Sequence, residues 1–154
     1  MDQLGAPVIV GAVTTANEPD GTLRNSAILW MPGTGPSQRY SKRNLVPFGE
    51  FVPSRPLLAP WSGRLGLPLQ DFVPGSQPGI LAMDRARVGI LMCFEVAFDD
   101  TAREVIRAGA TLLAIPSNNA TYSRTWEPEQ QLAMARFRAL EFDRSIIVAS
   151  TTWP

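Results

Sequence analysis

The 154-residue chain has no histidine and a single cysteine, Cys93. Without histidine there is no Ser-His-Asp triad, no Cys-His dyad and no His-containing zinc site, so any general base must be a carboxylate, a lysine, a tyrosine or water. One cysteine excludes an internal disulfide and leaves the compartment open. No apolar run approaches the roughly 18–20 residues that span a bilayer, and Met1 is followed by "DQLGAP", so neither a leader nor an anchor is expected in the chain as it stands. Net charge is also absent. Lys plus Arg and Asp plus Glu both total 14, which gives no electrostatic reason to expect a nucleic acid as partner. Charged residues make up 18% of the chain and hydrophobic ones 45%, a balance suited to a domain partly covered by other protein.

What is present reads as an α/β pattern. "APVIVGAV" (6–13) and "NSAILWM" (25–31) are β-branched or apolar runs bounded by turn residues and predict buried strands. "PGTGPS" (32–37) predicts a turn; it lacks the Gly-Lys-Ser/Thr of a phosphate-cradling loop. Six prolines between 53 and 79 predict an irregular segment. That segment carries Leu57, Leu58, Trp61 and Leu67, and reads either as a lid or as an apolar loop packed on its own domain. "ARVGILM" (86–92) predicts a central strand. A helix then follows, with Thr101 and Glu104 as a capping box, Ala102, Val105 and Ile106 as its apolar stripe and Gly109 as its C-terminal cap. "TLLAIPS" (111–117) and "SIIVAS" (145–150) predict further strands. Between them a helix from Pro128 to about Phe142 places Ala133, Phe137 and Leu140 on one face. Alternating strands and helices point to an α/β domain.

Cys93 lies where the central strand gives way to the loop before the helix. In α/β sheets that edge presents nucleophiles and binds ligands, yet free cysteine is also among the residues most often packed in cores, so both readings stand. A reactive thiol needs a nearby cation, a helix N-terminus or a base. Glu95, two residues on, needs a partner if buried. Lys42 and Glu50, in "YSKRNLVPFGE", supply an ammonium and a carboxylate that either meet Cys93 at the same sheet edge or are solvated surface charges.

"YSKRNLVPFGEFVP" (40–53), "GILMCFEVAF" (89–98) and "SNNATYSRTWEPEQQLAMARFRALEFDR" (117–144) together resemble the carbon–nitrogen hydrolase (nitrilase) superfamily, and within it the apolipoprotein N-acyltransferase branch. The resemblance covers most of the chain. It implies a nitrilase-like αββα sandwich, incomplete at both ends, with residues 1–154 forming part of one such domain. It also implies a Glu-Lys-Cys catalytic set that never used a histidine, and no cofactor or metal. Position by position, Cys93 matches the nucleophile, Lys42 the catalytic lysine and Glu50 the additional glutamate; Glu95 matches the supporting acidic residue after the nucleophile. Lys42, Glu50 and Cys93 are therefore expected to converge at one sheet edge.

The implied activity moves an acyl chain from a phospholipid, through a cysteine thioester, to the N-terminal amine of a lipoprotein's diacylglyceryl-cysteine. The implied site is the extracytoplasmic side of the cell membrane, with membrane contact through the parent protein. Two alternatives remain: a soluble amidase or nitrilase using water as acceptor, or an inactive remnant in which Cys93 is packed core. The family's general-base glutamate belongs to a Trp-Pro-Glu-like segment upstream of the first strand. The only acidic residue before Glu18 is Asp2, which is in no such motif, and "VASTTWP" stops where the family continues. The chain is thus expected to be an internal piece of the catalytic domain. Asn44 stands where many relatives have His, Asn119 where many have Asp, and "ATYS" replaces an aromatic-rich loop.

Overall fold

A computed structural model describes residues 5–15, 22–58, 60, 64, 68, 70–120 and 125–151. The two runs at 6–13 and 25–31 form β1 (Val8–Thr15) and β2 (Leu23–Met31), paired antiparallel with Val10 opposite Ile28. β3 (Gly35–Ser41) completes a three-stranded sheet on the other side of β2. Here the structure departs from the expected turn at 32–37. The turn is confined to 32–34, and Gly33 and Gly35, at φ 75° and 83°, let the chain reverse directly into a strand. β3 is mostly polar and exposed, so no apolar alternation marks it, and as an edge strand it tolerates Pro36.

The second sheet has the order β4-β5-β6-β7. The chain reaches it through the proline-rich segment, whose described residues are mostly irregular as expected, with one helical turn, α1 (Arg55–Leu58). Arg55 pairs there with Asp71. Leu57 is 71% exposed, whereas Trp61 and Leu67 lie outside the described residues. β4 (Ile80–Met83) and β5 (Ala86–Ile90) form an antiparallel hairpin, and β6 (Leu112–Ser117) and β7 (Ile146–Ser150) add in parallel. Parallel neighbours need crossovers, and α2 (Asp99–Arg107) and α3 (Glu127–Phe142) provide them.

Two cores follow from strand alternation. Ala27, Leu29 and Tyr40 of the first sheet meet Leu81, Val88, Ile90 and Met92 of the second, burying the space between the sheets. On the far side of the second sheet, Leu113 and Ile115 pack with Val96, Ala102, Val105 and Ala135 beneath the helices. The layers are therefore sheet, sheet and helix. Val10 and Ile28 alternate with the buried Leu29 and so face outward from the first sheet; no helix layer covers that face among the described residues.

Two helix expectations need correction. Thr101 and Glu104 do not form a capping box, because α2 starts two residues earlier, at Asp99, and its cap Phe98 makes no side-chain bond. The Thr101 hydroxyl instead accepts from Asn44 Nδ2 at 2.5 Å, and Glu104 pairs with Arg43. The stripe Ala102, Val105 and Ile106 does face the core, and Gly109, at φ 88°, follows the helix end as expected. In α3, by contrast, Ala133, Phe137 and Leu140 face solvent, with Phe137 and Leu140 62% and 84% exposed. The packed face is Gln131, Ala135 and Arg138, because the polar side chains have specific partners inside.

Gly89 on β5 points toward the helices, where an added Cβ would sit 2.6 Å from Leu113 Cδ2 and 2.9 Å from Ala110 Cβ. Gly89→Ala is expected to destabilise the fold by about 1–3 kcal/mol, read as a lower urea midpoint with an unchanged slope.

Candidate active site

After β5 the chain runs through buried Leu91 and Met92 and turns at Cys93, whose φ of 52° is left-handed for a non-glycine residue. Such a conformation costs about 1–2 kcal/mol and persists only when its surroundings impose it. A 3₁₀ turn, Cys93–Ala97, follows, and two side chains hold it. From below, Arg138 on α3 donates from Nε to the Val96 carbonyl at 3.0 Å and from Nη2 to that of Ala97 at 3.3 Å. Its other contacts are Asp99 and Glu141, each at 2.5 Å. Burial works against the Arg138 cation, but bonds to Glu141 and Asp99 more than offset it and raise its pKa. Those same bonds hold the Asp99 carboxyl below its ordinary range.

From within, Glu95 is fully buried and makes no ion pair among the described residues, against what its charge would suggest. Its oxygens accept from the backbone N–H of Met92 at 2.9 Å, Arg43 at 2.8 Å and Asn44 at 3.1 Å, and from the Tyr40 hydroxyl at 2.9 and 3.0 Å. Charge-assisted bonds of this kind replace the water lost on burial. Burial, reinforced by the Glu95 charge, pushes the Tyr40 phenol far above its ordinary pKa, so it remains a donor. Glu95 thereby ties the segment after β3 to the Cys93 turn.

That segment carries Lys42, which is 1% exposed. Its Nζ donates to Glu50 Oε2 at 2.7 Å. Glu50 also accepts from Val46 N–H at 2.8 Å and from Asn25 Nδ2 at 2.8 Å. A buried ammonium is tolerated only with a partner of this quality. Lys42, Glu50 and Cys93 line one cavity of about 540 Å³ at the carboxyl ends of β5 and β6, with Ile9, Val13, Val46 and Phe72 as apolar wall.

Sequence reasoning named these residues but missed several of their neighbours. Asn25 orients Glu50, Tyr40 seals Glu95, and Gln131 of α3 donates from Nε2 to Cys93 Sγ at 3.4 Å. Asn119, singled out only for standing in place of Asp, donates to Gln131 Oε1 at 3.0 Å, its own Oδ1 3.9 Å from the sulfur. Ser117 also lines the cavity, its buried Oγ without a hydrogen-bond partner among the described residues. One signal was available: Gln131 and Arg138 are polar at helical spacing with Ala135, on a face that must pack.

Residues 3–152 match the family described as carbon-nitrogen hydrolase. Apolipoprotein N-acyltransferase of Mycolicibacterium smegmatis is 40% identical over 157 residues, covering 98% of this chain and 26% of that protein. The enzyme of the same name from Geobacter metallireducens is 40% identical over 128 residues, covering 83% of this chain and 24% of that protein. The chain thus spans about a quarter of the length of these curated relatives. Among solved structures, a carbon-nitrogen hydrolase from Helicobacter pylori G27 superposes with a TM-score of 0.69 at 16% identity, covering 97% of this chain and 47% of that one.

Two outcomes follow from the contacts around the Cys93 turn. Every hydrogen-bonding neighbour of Glu95 described above is a donor, so Glu95→Gln points an amide N–H₂ at donors. It is expected to cost about 1–3 kcal/mol, measured by urea unfolding. The lowered carboxyls of Asp99 and Asp71, bonded to Arg138 and Arg55 respectively, contribute stability above their unfolded pKa of about 3.9 that is lost as pH falls through the folded values. Thermal midpoints between pH 7 and 3 are expected to drop on acidification, and to drop less in Asp99→Asn.

Proposed function

Because the chain belongs to the carbon–nitrogen hydrolase family, and its sheets and helices form an incomplete nitrilase-like αββα sandwich, we propose that it is part of the catalytic domain of an apolipoprotein N-acyltransferase. The observation that carries this reading is the convergence of Cys93 with the buried Lys42–Glu50 pair on one cavity with an apolar wall. The names of the relatives support the reaction class.

In this reading the Cys93 thiolate attacks an acyl ester carbonyl of a phospholipid. A C–S bond forms, the carbonyl oxygen takes the negative charge, and the Lys42 ammonium, which has three N–H donors and gives one to Glu50, stabilises it. When the tetrahedral intermediate collapses, the C–O bond breaks and the lysophospholipid leaves as an alcohol carrying the proton that the thiol gave up. The amine of a lipoprotein's diacylglyceryl-cysteine then attacks the thioester, forming the amide and returning the thiol. The resemblance assigns the proton carrier to a glutamate upstream of the first strand.

Glu50 balances the lysine charge and fixes its direction; Glu95 holds the turn that presents the sulfur. The apolar wall, together with the exposed Phe48, Phe94 and Phe98, suits acyl chains delivered from a membrane. No described helix is long and apolar enough to cross one, so contact through the parent protein, with the site on the extracytoplasmic side, belongs to the same proposal.

Incubation of the full-length parent protein with phospholipid vesicles and intact mass analysis is expected to show one acyl adduct, absent from Cys93→Ala and formed roughly a hundredfold more slowly in Lys42→Met. An adduct that persists in Cys93→Ala sinks the assignment.

A further inference from the structure

The sulfur of Cys93 faces two side-chain amides that nothing in the proposed reaction uses. Gln131, on the packed face of α3, and Asn119, just beyond β6, are 3% and 2% exposed. Gln131 Nε2 donates to the sulfur at 3.4 Å, Asn119 Nδ2 donates to Gln131 Oε1 at 3.0 Å, and Asn119 Oδ1 lies 3.9 Å from the sulfur. The two amides are bonded to each other, so each has one group committed to its neighbour and one turned to Cys93.

This closed arrangement has a consequence independent of how either amide is oriented. If both were turned over, Asn119 would offer its N–H₂ to the sulfur and Gln131 its carbonyl; the mutual bond would survive with donor and acceptor exchanged. In either arrangement the sulfur meets one N–H and one C=O. A thiol can use both, accepting from the N–H and donating to the C=O. A thiolate uses only the N–H, which then becomes a charge-assisted bond.

With the two amides bonded as they are here, the geometry points to Gln131, oriented by Asn119, as a hydrogen-bond donor that holds the Cys93 sulfur in position for attack. This inference rests on Cys93 being the nucleophile, as proposed above, and adds a residue on α3 to the machinery. It also accounts for the inverted polarity of that helix. An amide stands at the buried position 131, while apolar Phe137 and Leu140 remain outside, because the sulfur needs a donor from this side. Lys42 acts on the same cavity from the opposite sheet, so the thiolate would be held between two donors from two layers of the fold.

The test uses the sole cysteine of the folded chain: the rate of Cys93 alkylation by iodoacetamide at pH 7, followed by intact mass, with thermal unfolding recorded for each variant. Gln131→Leu removes the donor and is expected to slow alkylation about tenfold. Gln131→Glu keeps the shape and the acceptor for Asn119 but turns a carboxylate oxygen toward the sulfur, and is expected to be slower still. A merely structural role predicts the reverse order, because the glutamate variant preserves packing and the leucine variant strands the Asn119 amide. Alkylation of Gln131→Glu at the wild-type rate or faster, or of Gln131→Leu as the slowest, overturns the inference. If Gln131→Leu does not fold, Gln131→Glu against wild type decides alone. A folded wild-type chain that is not alkylated at all strikes down the nucleophile assignment itself, and the inference with it; this result is visible before any variant is made.

Discussion

The buried carboxylate of Glu95 is the interaction on which the site's geometry depends. A lone carboxylate in an apolar interior is costly by several kcal/mol, and this one is held, among the described residues, by three backbone N–H groups and a phenol. Those donors come from two places in the chain, Met92 at the Cys93 turn and Tyr40 to Asn44 on and after β3. Satisfying the charge therefore requires the end of the first sheet and the end of the second to meet in one register. Lys42 lies inside that span of donors, and Cys93 next to Met92. The energetic demand of one anion thus brings the ammonium and the thiol to the same cavity.

A second constraint acts from the helix layer. Cys93 occupies a left-handed conformation, and the turn that begins there is clamped through its carbonyls by Arg138. The guanidinium is in turn neutralised by Asp99 at the start of α2 and Glu141 on its own helix. Arg138 and Gln131 occupy the positions that an ordinary amphipathic helix would give to leucine. The helix contributes Ala135, with Met134 and Phe142 at the margin, to the hydrophobic core; the rest of its packed face is spent on orienting the turn and its sulfur. Hydrogen bonding to the turn has displaced the apolar pattern on this face, and Phe137 and Leu140 lie on the outside.

The same conflict explains which elements sequence reasoning could read. Strands β2, β5 and β6 are buried on at least one face, and β1 and β7 are partly covered on one; their apolar runs mark them. Edge strand β3 is polar because little covers it, and β4 is four residues long, too short for periodicity to register. The apolar stripe of α2 was readable because nothing polar is required of it. For α3 the period was real but pointed the wrong way. Cys93, Lys42, Glu50 and Glu95 could be named from a resemblance in motif, whereas Asn25 lies outside the resembling stretches, and Tyr40 and Gln131, though inside them, are chemically ordinary residues made special by position.

By itself, the sequence determined the chemical inventory. With no histidine and one thiol, a cysteine nucleophile could draw its base only from carboxylates, lysines, tyrosines or water, and the resemblance implied the lysine and glutamates; the alternation of apolar runs with helical stretches required an α/β layering. Only the tertiary structure decided that Lys42 is buried against Glu50, that Glu95 is sealed by main-chain donors, and that the inward face of α3 is the polar one. The reason is physical. Local patterns record which side chains avoid water, whereas the partners of a buried charge are backbone amides and distant side chains, whose availability exists only once two sheets and a helix have been packed together.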